Sequence, residues 1–260
     1  RPVNGEGSLS PKSIKNLLIF LHWLLSHAVN DGIIAKNPAD KVSPPRQRPP
    51  VRKVLSPDEL YALLRAANDL NLLAPIVMDA VTGVRRSELL GFCWDAVDLD
   101  TGVYRVMRKV FVDRHTHRPY LTETLKTDHA YRSGRLPASA IRILASYKKY
   151  QTEQRLRTGS AWSDHNLLFP GSMGYPLHPD AFSSRLRRLQ SRAGLDVFGI
   201  NAVRHYVATA LINGRVPDAT IAQIMGHSNS AYTRRQYEDA YESANQMAAN
   251  VLADSIDFLT

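Results

Sequence analysis

The chain has 260 residues, of which 44% are hydrophobic and 22% are charged, and these values exclude bulk disorder. Its 33 Lys and Arg residues outnumber its 24 Asp and Glu residues, and the resulting net charge of +9 favours a polyanionic partner such as nucleic acid. Because Cys93 is the single cysteine, an internal disulfide framework and a cysteine zinc cluster are excluded, and a reducing compartment is expected.

The first predicted element is a helix that follows Ser10 and ends at Asp31. Ser10 is a suitable N-cap, and Pro11 suits the first helical position. The longest apolar run, residues 17–25, is much shorter than the roughly 20 residues that a bilayer requires. The sequence therefore predicts a buried helix and no membrane span, and the first residues do not read as a secretory signal.

A basic, proline-rich segment follows at residues 44–53. Prolines hold such a segment extended, and it contains too few apolar residues to form a core. We therefore predict a linker between a small N-terminal piece, residues 1–43, and a larger domain, residues 54–260. The cations of the linker are candidate DNA-binding residues: Arg46, Arg48, Arg52 and Lys53.

The larger domain is predicted to be mainly helical with one small antiparallel sheet, an α+β fold. Ser56 and Glu59 form a capping box at its first helix. Helices are predicted at residues 56–68, 73–81, 85–92, 138–157, 179–193, 201–213 and 217–225, and from residue 231 onward. Strands are predicted at residues 103–112, 120–125 and 135–137.

Four polar segments of this domain carry residue types that bind phosphate. They contain Arg85 with Arg86, Lys126, Asn201 with Arg204, and His227 with Tyr237. Guanidinium groups and the amides at a helix N-terminus both suit a phosphate. Each segment taken singly is also compatible with an ordinary solvated surface, so the signal lies in their combination.

The order of these segments resembles the tyrosine recombinase, or phage integrase, family. The blocks that carry the resemblance are Thr82-Gly83-x-Arg85-x-x-Glu88, Lys126-Thr127, Arg204-His205, Gly226-His227-Ser228 and Tyr237. Residues 9–45 resemble the end of the helical core-binding domain that clamps DNA in this family. The resemblance thus covers nearly the whole chain and implies a catalytic domain at residues 54–260 with a C-terminal tail helix.

The resemblance implies cleavage and rejoining of DNA strands through a 3′-phosphotyrosine intermediate, with no metal or other cofactor. Tyr237 would attack the scissile phosphorus. Arg85 and Arg204 would hold its non-bridging oxygens, and Lys126 would protonate the departing 5′ oxygen. His227 would form a hydrogen bond with the phosphate or with the attacking tyrosine, and Arg86 is a further candidate DNA contact.

Asn201 departs from the family, whose members usually carry His at this position. Asn keeps a donor and an acceptor but cannot exchange a proton at neutral pH. A slower or differently tuned recombinase is therefore expected. Two alternatives remain open: a DNA-binding architectural or regulatory protein of the same fold with reduced or lost catalysis, and a relaxing topoisomerase.

Several other polar residues are predicted to have no role in the chemistry. Tyr232 lies too close to His227 in the sequence to be the nucleophile, and Tyr241 lies too far from it. Glu88 is predicted to brace the arginine helix. Residues 113–117, an Asp-x-His-x-His run, are predicted to form a solvated turn, because no fourth metal ligand is apparent.

The implied partners are double-stranded DNA attachment sites, a homotetramer on DNA whose C-terminal tails dock in trans, and accessory DNA-bending proteins. A membrane is not among them. The expected setting is the cytoplasm of a bacterial host, in association with the nucleoid. The expected role is integration or excision of a phage or another mobile element.

Overall fold

The structure is a computed structural model that describes residues 9–45, 54–67, 70–125, 131–227, 229–238 and 240–241. The chain separates into two units, Arg1–Arg52 and Lys53–Thr260. None of the described helices combines the length and the apolar character needed to cross a bilayer.

The described part of the first unit consists of helix α1 (Pro11–Asn30) and a short 3-10 helix (Pro38–Lys41). α1 begins where the sequence predicts, but none of its residues is buried. Phe20 and Trp23 are 60% and 56% exposed. The prediction of a buried helix is therefore wrong for these residues, because the other described element of this unit is too short to cover an apolar face of five turns.

The described part of the second unit is mainly helical and carries a small amount of antiparallel sheet, which confirms the predicted fold class. Its helices are α2 (Pro57–Ala66), α3 (Leu70–Thr82), α4 (Arg86–Leu89), α5 (Ala138–Thr158), α6 (Pro179–Arg192), α7 (Asn201–Asn213), α8 (Asp218–Met225) and α9 (Ser230–Gln236). Its strands are β1 (Val103–Val106), β2 (Lys109–Val112), β3 (Pro119–Thr122) and β4 (Arg132–Arg135).

The sheet is divided into two antiparallel pairs, β1 with β4 and β2 with β3. The register places Val103 opposite Arg135, and Lys109 opposite Thr122. The single strand predicted over residues 103–112 is thus interrupted. Arg108 lies at the interruption, and its side chain donates to Asp95 at 2.8 Å and to Glu123 at 3.0 Å. These two ion pairs of Arg108 hold the backbone in place between β1 and β2.

α2 begins at the predicted capping box. The Ser56 hydroxyl accepts a hydrogen bond from the backbone N–H of Glu59 at 3.1 Å, and the Glu59 carboxylate accepts from the backbone N–H of Ser56 at 2.8 Å. Two N–H groups that a helix start would otherwise leave unpaired are thereby satisfied.

α3 packs against α5 and α7 and contributes fully buried side chains, including Ala74 and Met78, to the main core. A separate apolar cluster joins α7 and α8 to the end of α9. It includes Ile221, Met225 and the ring of Tyr237. The position of Tyr237 is therefore set by packing against two other helices.

Asp79 is a buried polar residue of α3 and is 2% exposed. Its Oδ1 atom has no hydrogen-bond partner among the described residues. Burial raises the pKa of this carboxyl well above its usual range, although the nearby Arg204 guanidinium opposes the shift. Asp79 therefore stays protonated at pH values where an exposed aspartate is ionised.

We predict that Asp79→Asn gains stability relative to the parent as the pH rises from about 4 to 7. The unfolded carboxyl loses its proton near its usual pKa of 3.8, whereas the folded carboxyl keeps it. The contribution of Asp79 to the stability of the parent therefore falls as the pH rises through this range, whereas that of the neutral amide does not change. Urea titrations at several pH values measure the difference, at about 1.4 kcal/mol per unit of pKa difference.

Asp196 is exposed, so Asp196→Asn is the matched control for this experiment. The pH dependence of its free energy of unfolding should follow that of the parent. A parallel pH dependence for Asp79→Asn as well would contradict the prediction.

Candidate active site

Arg85 is positioned by the turn that joins α3 to α4. The Thr82 hydroxyl donates to the carbonyl of Met78 at 2.6 Å near the end of α3. Gly83 then adopts a φ of +58°, which a residue with a side chain rarely adopts. The backbone N–H of Arg85 donates to the carboxylate of Glu88 at 3.0 Å, so the first turn of α4 presents the arginine side chain.

Glu88 is a buried carboxylate that is shared by two guanidinium groups. Arg85 donates to one of its oxygens and Arg132 to the other, both at 2.8 Å. The side chains of Glu88 and Arg132 are 4% and 2% exposed. Burial acts to raise the pKa of Glu88, but the charges and hydrogen bonds of Arg132 and Arg85 outweigh it and lower the pKa below its usual value. Glu88 is therefore ionised and braces Arg85, as the sequence predicts.

The C-terminal end of α8 joins this network through its backbone carbonyls. Arg132 donates to the carbonyl of Ile224 at 2.8 Å, and Arg85 donates to that of Gly226 at 3.0 Å. Gly226 ends the helix with a φ of +63°, and the N–H of His227 then donates back to the carbonyl of Ala222 at 2.9 Å. This helix end fixes the backbone of His227 beside the arginines.

Arg204 is buried and lies between the ends of α3 and α8. Its guanidinium donates to the carbonyl of Gly83 at 2.6 Å and to that of Met225 at 2.5 Å. Burial, with the neighbouring positive charge of Arg85, lowers the pKa of Arg204 to about 10. It remains a cation at neutral pH, and its charge is held close to the exposed guanidinium of Arg85.

The His227 ring is held at both nitrogens. Nε2 lies 3.0 Å from a guanidinium nitrogen of Arg204, and Nδ1 lies 2.7 Å from the hydroxyl of Thr233. Burial lowers the pKa of His227 to about 4, with further lowering by the cations Arg204, Arg85 and Arg132. His227 is therefore neutral at physiological pH.

Tyr237 directly follows α9, and its side chain is 6% exposed. Its ring stacks on that of His227, with centroids 6.3 Å apart and an angle of 19° between the planes. The ring of His205 meets it edge-on at 5.4 Å. Tyr232 also contacts His227, at 4.9 Å, whereas the Tyr241 hydroxyl donates to Asp218 at 2.7 Å.

One cavity of about 630 Å³ brings most of the predicted site residues together. Those that line it are Arg85, Arg86, Asn201, Arg204, His227 and Tyr237. Tyr232 lines it as well, but Tyr241 does not. Asn201 is the first residue of α7 and is exposed. The Arg86 side chain donates to Ser183 at 2.6 Å and to Asp180 at 3.2 Å, so it is tied to α6 at the cavity edge.

Lys126 and the four linker cations, Arg46, Arg48, Arg52 and Lys53, lie outside the described residues. The turn at residues 113–117 is described, and there the Asp113 carboxylate accepts hydrogen bonds from the backbone N–H groups of His115 and Thr116. These bonds lower the pKa of Asp113 and show that its carboxylate closes the turn.

Sequence reasoning gave no role to Arg132, Thr233 or His205. Arg132 and Glu88 are 44 residues apart, so no local pattern could pair them. Thr233 lies in α9, which ends directly before Tyr237, but only the fold shows that the Thr233 hydroxyl reaches His227. His205 directly follows Arg204, and this adjacency was the one available signal.

The sequence profile described as "Phage integrase family" matches residues 53–243. The chain belongs to the phage integrase family. This confirms the resemblance carried by the motifs, and the matched range includes every residue that lines the cavity.

Two relatives of this integrase-family chain illustrate the similarity. The tyrosine recombinase XerC-like protein of Caldanaerobacter subterraneus is 28% identical over 94% of this chain and 66% of the relative. The integrase of Streptomyces ambofaciens is also 28% identical, over 94% of this chain and 64% of its own length. The chain thus spans about two thirds of the length of these relatives.

Solved structures with the same fold include two proteins bound to DNA. The Tn1549 transposon integrase in complex with transposon right end DNA matches with a TM-score of 0.73 and 23% identity, over 94% of this chain and 81% of that one. The XerH site-specific recombinase bound to a palindromic difH substrate matches with a TM-score of 0.69 and 20% identity, over 96% and 69%. At these identities the likeness shows a shared fold.

We predict that Gly226→Ala destabilises the integrase domain more than Gly194→Ala does. Both glycines have a positive φ, +63° and +68°, so both substitutions incur about 1–2 kcal/mol of backbone strain. A Cβ at Gly226 would lie 2.9 Å from the buried guanidinium of Arg132, whereas one at Gly194 would meet nothing within 4 Å. The contact should add about 1–3 kcal/mol.

Urea titrations of the two variants and the parent measure this difference. Equal losses of stability would show that Arg132 can move aside freely, which would contradict the tight packing of the network.

Proposed function

We propose that this chain contains the catalytic part of a site-specific DNA recombinase, which cleaves and rejoins DNA strands through a 3′-phosphotyrosine intermediate. The observation that carries the proposal is the convergence of Arg85, Arg204, His227 and Tyr237 on one cavity. These residues come from four separate segments of a phage integrase family domain. A nucleophile, two fixed cations and an imidazole are the groups that phosphoryl transfer to tyrosine requires.

The charges around the cavity support a phosphodiester substrate. Arg85 is 44% exposed and is held by Glu88 and the carbonyl of Gly226, so its pose is fixed while its surface remains accessible. Among the described residues, Arg204 contacts Gly83, Met225 and His227 with three of its five N–H groups. Guanidinium groups held in this way match the oxygens of a phosphate without reorganisation.

The proposed step exchanges one phosphoester bond for another. The Tyr237 phenol releases its proton to solvent as its oxygen bonds to phosphorus, the bond from phosphorus to the 5′ oxygen breaks, and that oxygen takes up a proton. Lys126 is proposed as the donor of this proton, on the basis of the motif alone. Because no water enters, the bond energy is retained in the phosphotyrosine, and the reverse attack by a 5′ hydroxyl rejoins a strand.

Asn201 has a limited part in this scheme. It lines the cavity at the first turn of α7, where its amide N–H is suited to donate to a phosphate oxygen. It cannot take the proton of the tyrosine, because an amide does not titrate at neutral pH. We therefore expect strand cleavage to be slower than at an equivalent site with His at this position.

The wider proposal concerns residues and partners beyond the described cavity. Arg46, Arg48, Arg52 and Lys53 would contact DNA phosphates together with Arg86, and residues 243–260 would dock on a neighbouring protomer in a homotetramer. Integration or excision of a mobile element is the proposed role, in line with a relative that is named an integrase. Accessory DNA-bending proteins and a place in the nucleoid-associated cytoplasm belong to this wider proposal.

A second candidate function is DNA binding without catalysis, as an architectural or regulatory protein. The observation that favours it is Asn201 at a cavity position where a proton-exchanging residue would help the nucleophile. The two candidates differ in a covalent product, which makes them separable by one experiment.

We predict that the parent forms a covalent adduct with nicked duplexes spanning the borders of the mobile element that carries the gene, and that Tyr237→Phe does not. Tyr232→Phe is the matched control, because Tyr232 lines the same cavity and also contacts His227. Adducts are counted after denaturation in detergent, as a protein band of reduced mobility that contains labelled DNA. Tyr232→Phe should keep the adduct, and Asn201→His should form it at an equal or higher rate.

An adduct that survives Tyr237→Phe but not Tyr232→Phe would assign the nucleophile to Tyr232. Salt-sensitive DNA binding with no adduct, from the parent or from Asn201→His, would contradict recombination and support the binding protein.

A further inference from the structure

We propose that Asp218 is a positioning residue for Tyr237, because its carboxylate binds Arg234 and Tyr241, on either side of the nucleophile, and fixes both to the start of α8. We call these three side chains, Asp218, Arg234 and Tyr241, the clamp. Asp218 does not line the cavity, so it acts on Tyr237 through its two partners. The clamp is a set of contacts among described residues, and its consequence for strand cleavage rests on the proposed function.

The two carboxylate oxygens of Asp218 have different partners. Oδ2 accepts hydrogen bonds from Nε and Nη2 of Arg234 at 3.2 and 2.5 Å, and Oδ1 accepts one from the Tyr241 hydroxyl at 2.7 Å. The bonds from Tyr241 and Arg234 lower the pKa of Asp218 below its usual value, so the carboxylate is ionised at neutral pH. The Arg234 guanidinium also lies over the Tyr241 ring, 5.6 Å from its centroid. Each member of the clamp therefore contacts the other two.

Backbone hydrogen bonds connect the clamp to Tyr237 on both sides. The N–H of Tyr237 donates to the carbonyl of Arg234 at 3.2 Å, and the carbonyl of Tyr237 accepts from the N–H of Tyr241 at 3.1 Å. Tyr237 thus lies between two residues whose side chains are held by one carboxylate. A displacement of Tyr237 from α8 has to break either these backbone bonds or the bonds to Asp218.

The helix that carries Asp218 is held at its other end by the arginines proposed to bind the phosphate. Asp218 is the first residue of α8, a helix of eight residues. Arg85 and Arg204 donate to backbone carbonyls at its C-terminal end. α8 is therefore a short rigid spacer between the segment that carries Tyr237 and the two guanidinium groups. The distance from the Tyr237 oxygen to a bound phosphate depends on both attachments.

The clamp is expected to matter more for this placement than for the stability of the domain. The side chain of Arg234 is 70% exposed and that of Asp218 is 26% exposed, and ion pairs in such positions contribute little to the free energy of unfolding. In contrast, a displacement of about 1 Å of a reacting group can slow a reaction on the order of 100-fold. Loss of the clamp should therefore slow the chemistry far more than it destabilises the fold.

The clamp itself is tested without DNA, by amide hydrogen exchange followed by NMR at neutral pH. In Asp218→Ala the amides of Tyr237 and Tyr241 should exchange at least about tenfold faster than in the parent, because their segment opens locally without its anchor. The exchange of the amide of Met78, in the buried part of α3, should change much less.

Asp164→Ala is the matched control, because Asp164 is an aspartate that pairs with Arg155 at 2.8 Å and does not line the cavity. It should leave the exchange of Tyr237 and Tyr241 at the parental rates. Unchanged exchange of these two amides in folded Asp218→Ala would overturn the proposal. If Asp218→Ala does not fold, Tyr241→Phe, which loses only a hydroxyl, provides the same test with the same two outcomes.

The consequence for catalysis is measured as single-turnover adduct formation at saturating protein, together with the Kd for the same nicked DNA. Asp218→Ala should form the adduct at least about tenfold more slowly with an unchanged Kd, since the cavity and its cations remain. Arg234→Met should slow the parent but have no further effect in Asp218→Ala, because the arginine acts through the carboxylate.

A parental rate of adduct formation in Asp218→Ala would overturn the proposal. An equal effect of Arg234→Met in both backgrounds, with weaker DNA binding, would overturn it too, because Arg234 would then act on the DNA itself. If the exchange result holds while the parent makes no adduct, the clamp stands and the proposed function fails.

Discussion

The carboxylate of Glu88 lies between the guanidinium groups of Arg85 and Arg132, and the remaining site depends on this shared contact. Arg132 is almost completely buried, and a buried cation without a partner would be strongly destabilising. Because the same carboxylate accepts hydrogen bonds from both arginines, the ion pair that stabilises buried Arg132 also fixes the pose of Arg85. The contact that stabilises the domain therefore also sets the geometry of Arg85, the candidate phosphate-binding residue.

Backbone carbonyls at helix ends also compensate the positive charges of the arginines. The last two carbonyls of α8, and those of the glycines that follow α3 and α8, accept hydrogen bonds from Arg85, Arg132 and Arg204. Carbonyls at a helix C-terminus have no partner within the helix and carry partial negative charge, so they suit cations. Gly83 and Gly226 are required because these turns need a positive φ. The glycine of each motif thus serves the arginine geometry.

The sequence singled out the motif residues because each lies at a local signal: a glycine turn before Arg85, a helix start at Arg204, and a glycine before His227. It could not predict the pairing of Glu88 with Arg132 or of His227 with Thr233, since these depend on packing between helices and strands. The break between β1 and β2 was missed for the same reason. The exposure of α1 was also missed, because apolar periodicity predicts a face to be covered and says nothing of what covers it.

The shared carboxylate is tested most directly by a double-mutant cycle on the free energy of unfolding, with Glu88→Gln, Arg132→Met and the two combined. A buried pair predicts that each single change leaves a partner uncompensated, and that the combined change costs less than the sum. The predicted coupling energy is at least about 1.5 kcal/mol. Additive losses, within about 0.5 kcal/mol, would contradict the central position of Glu88.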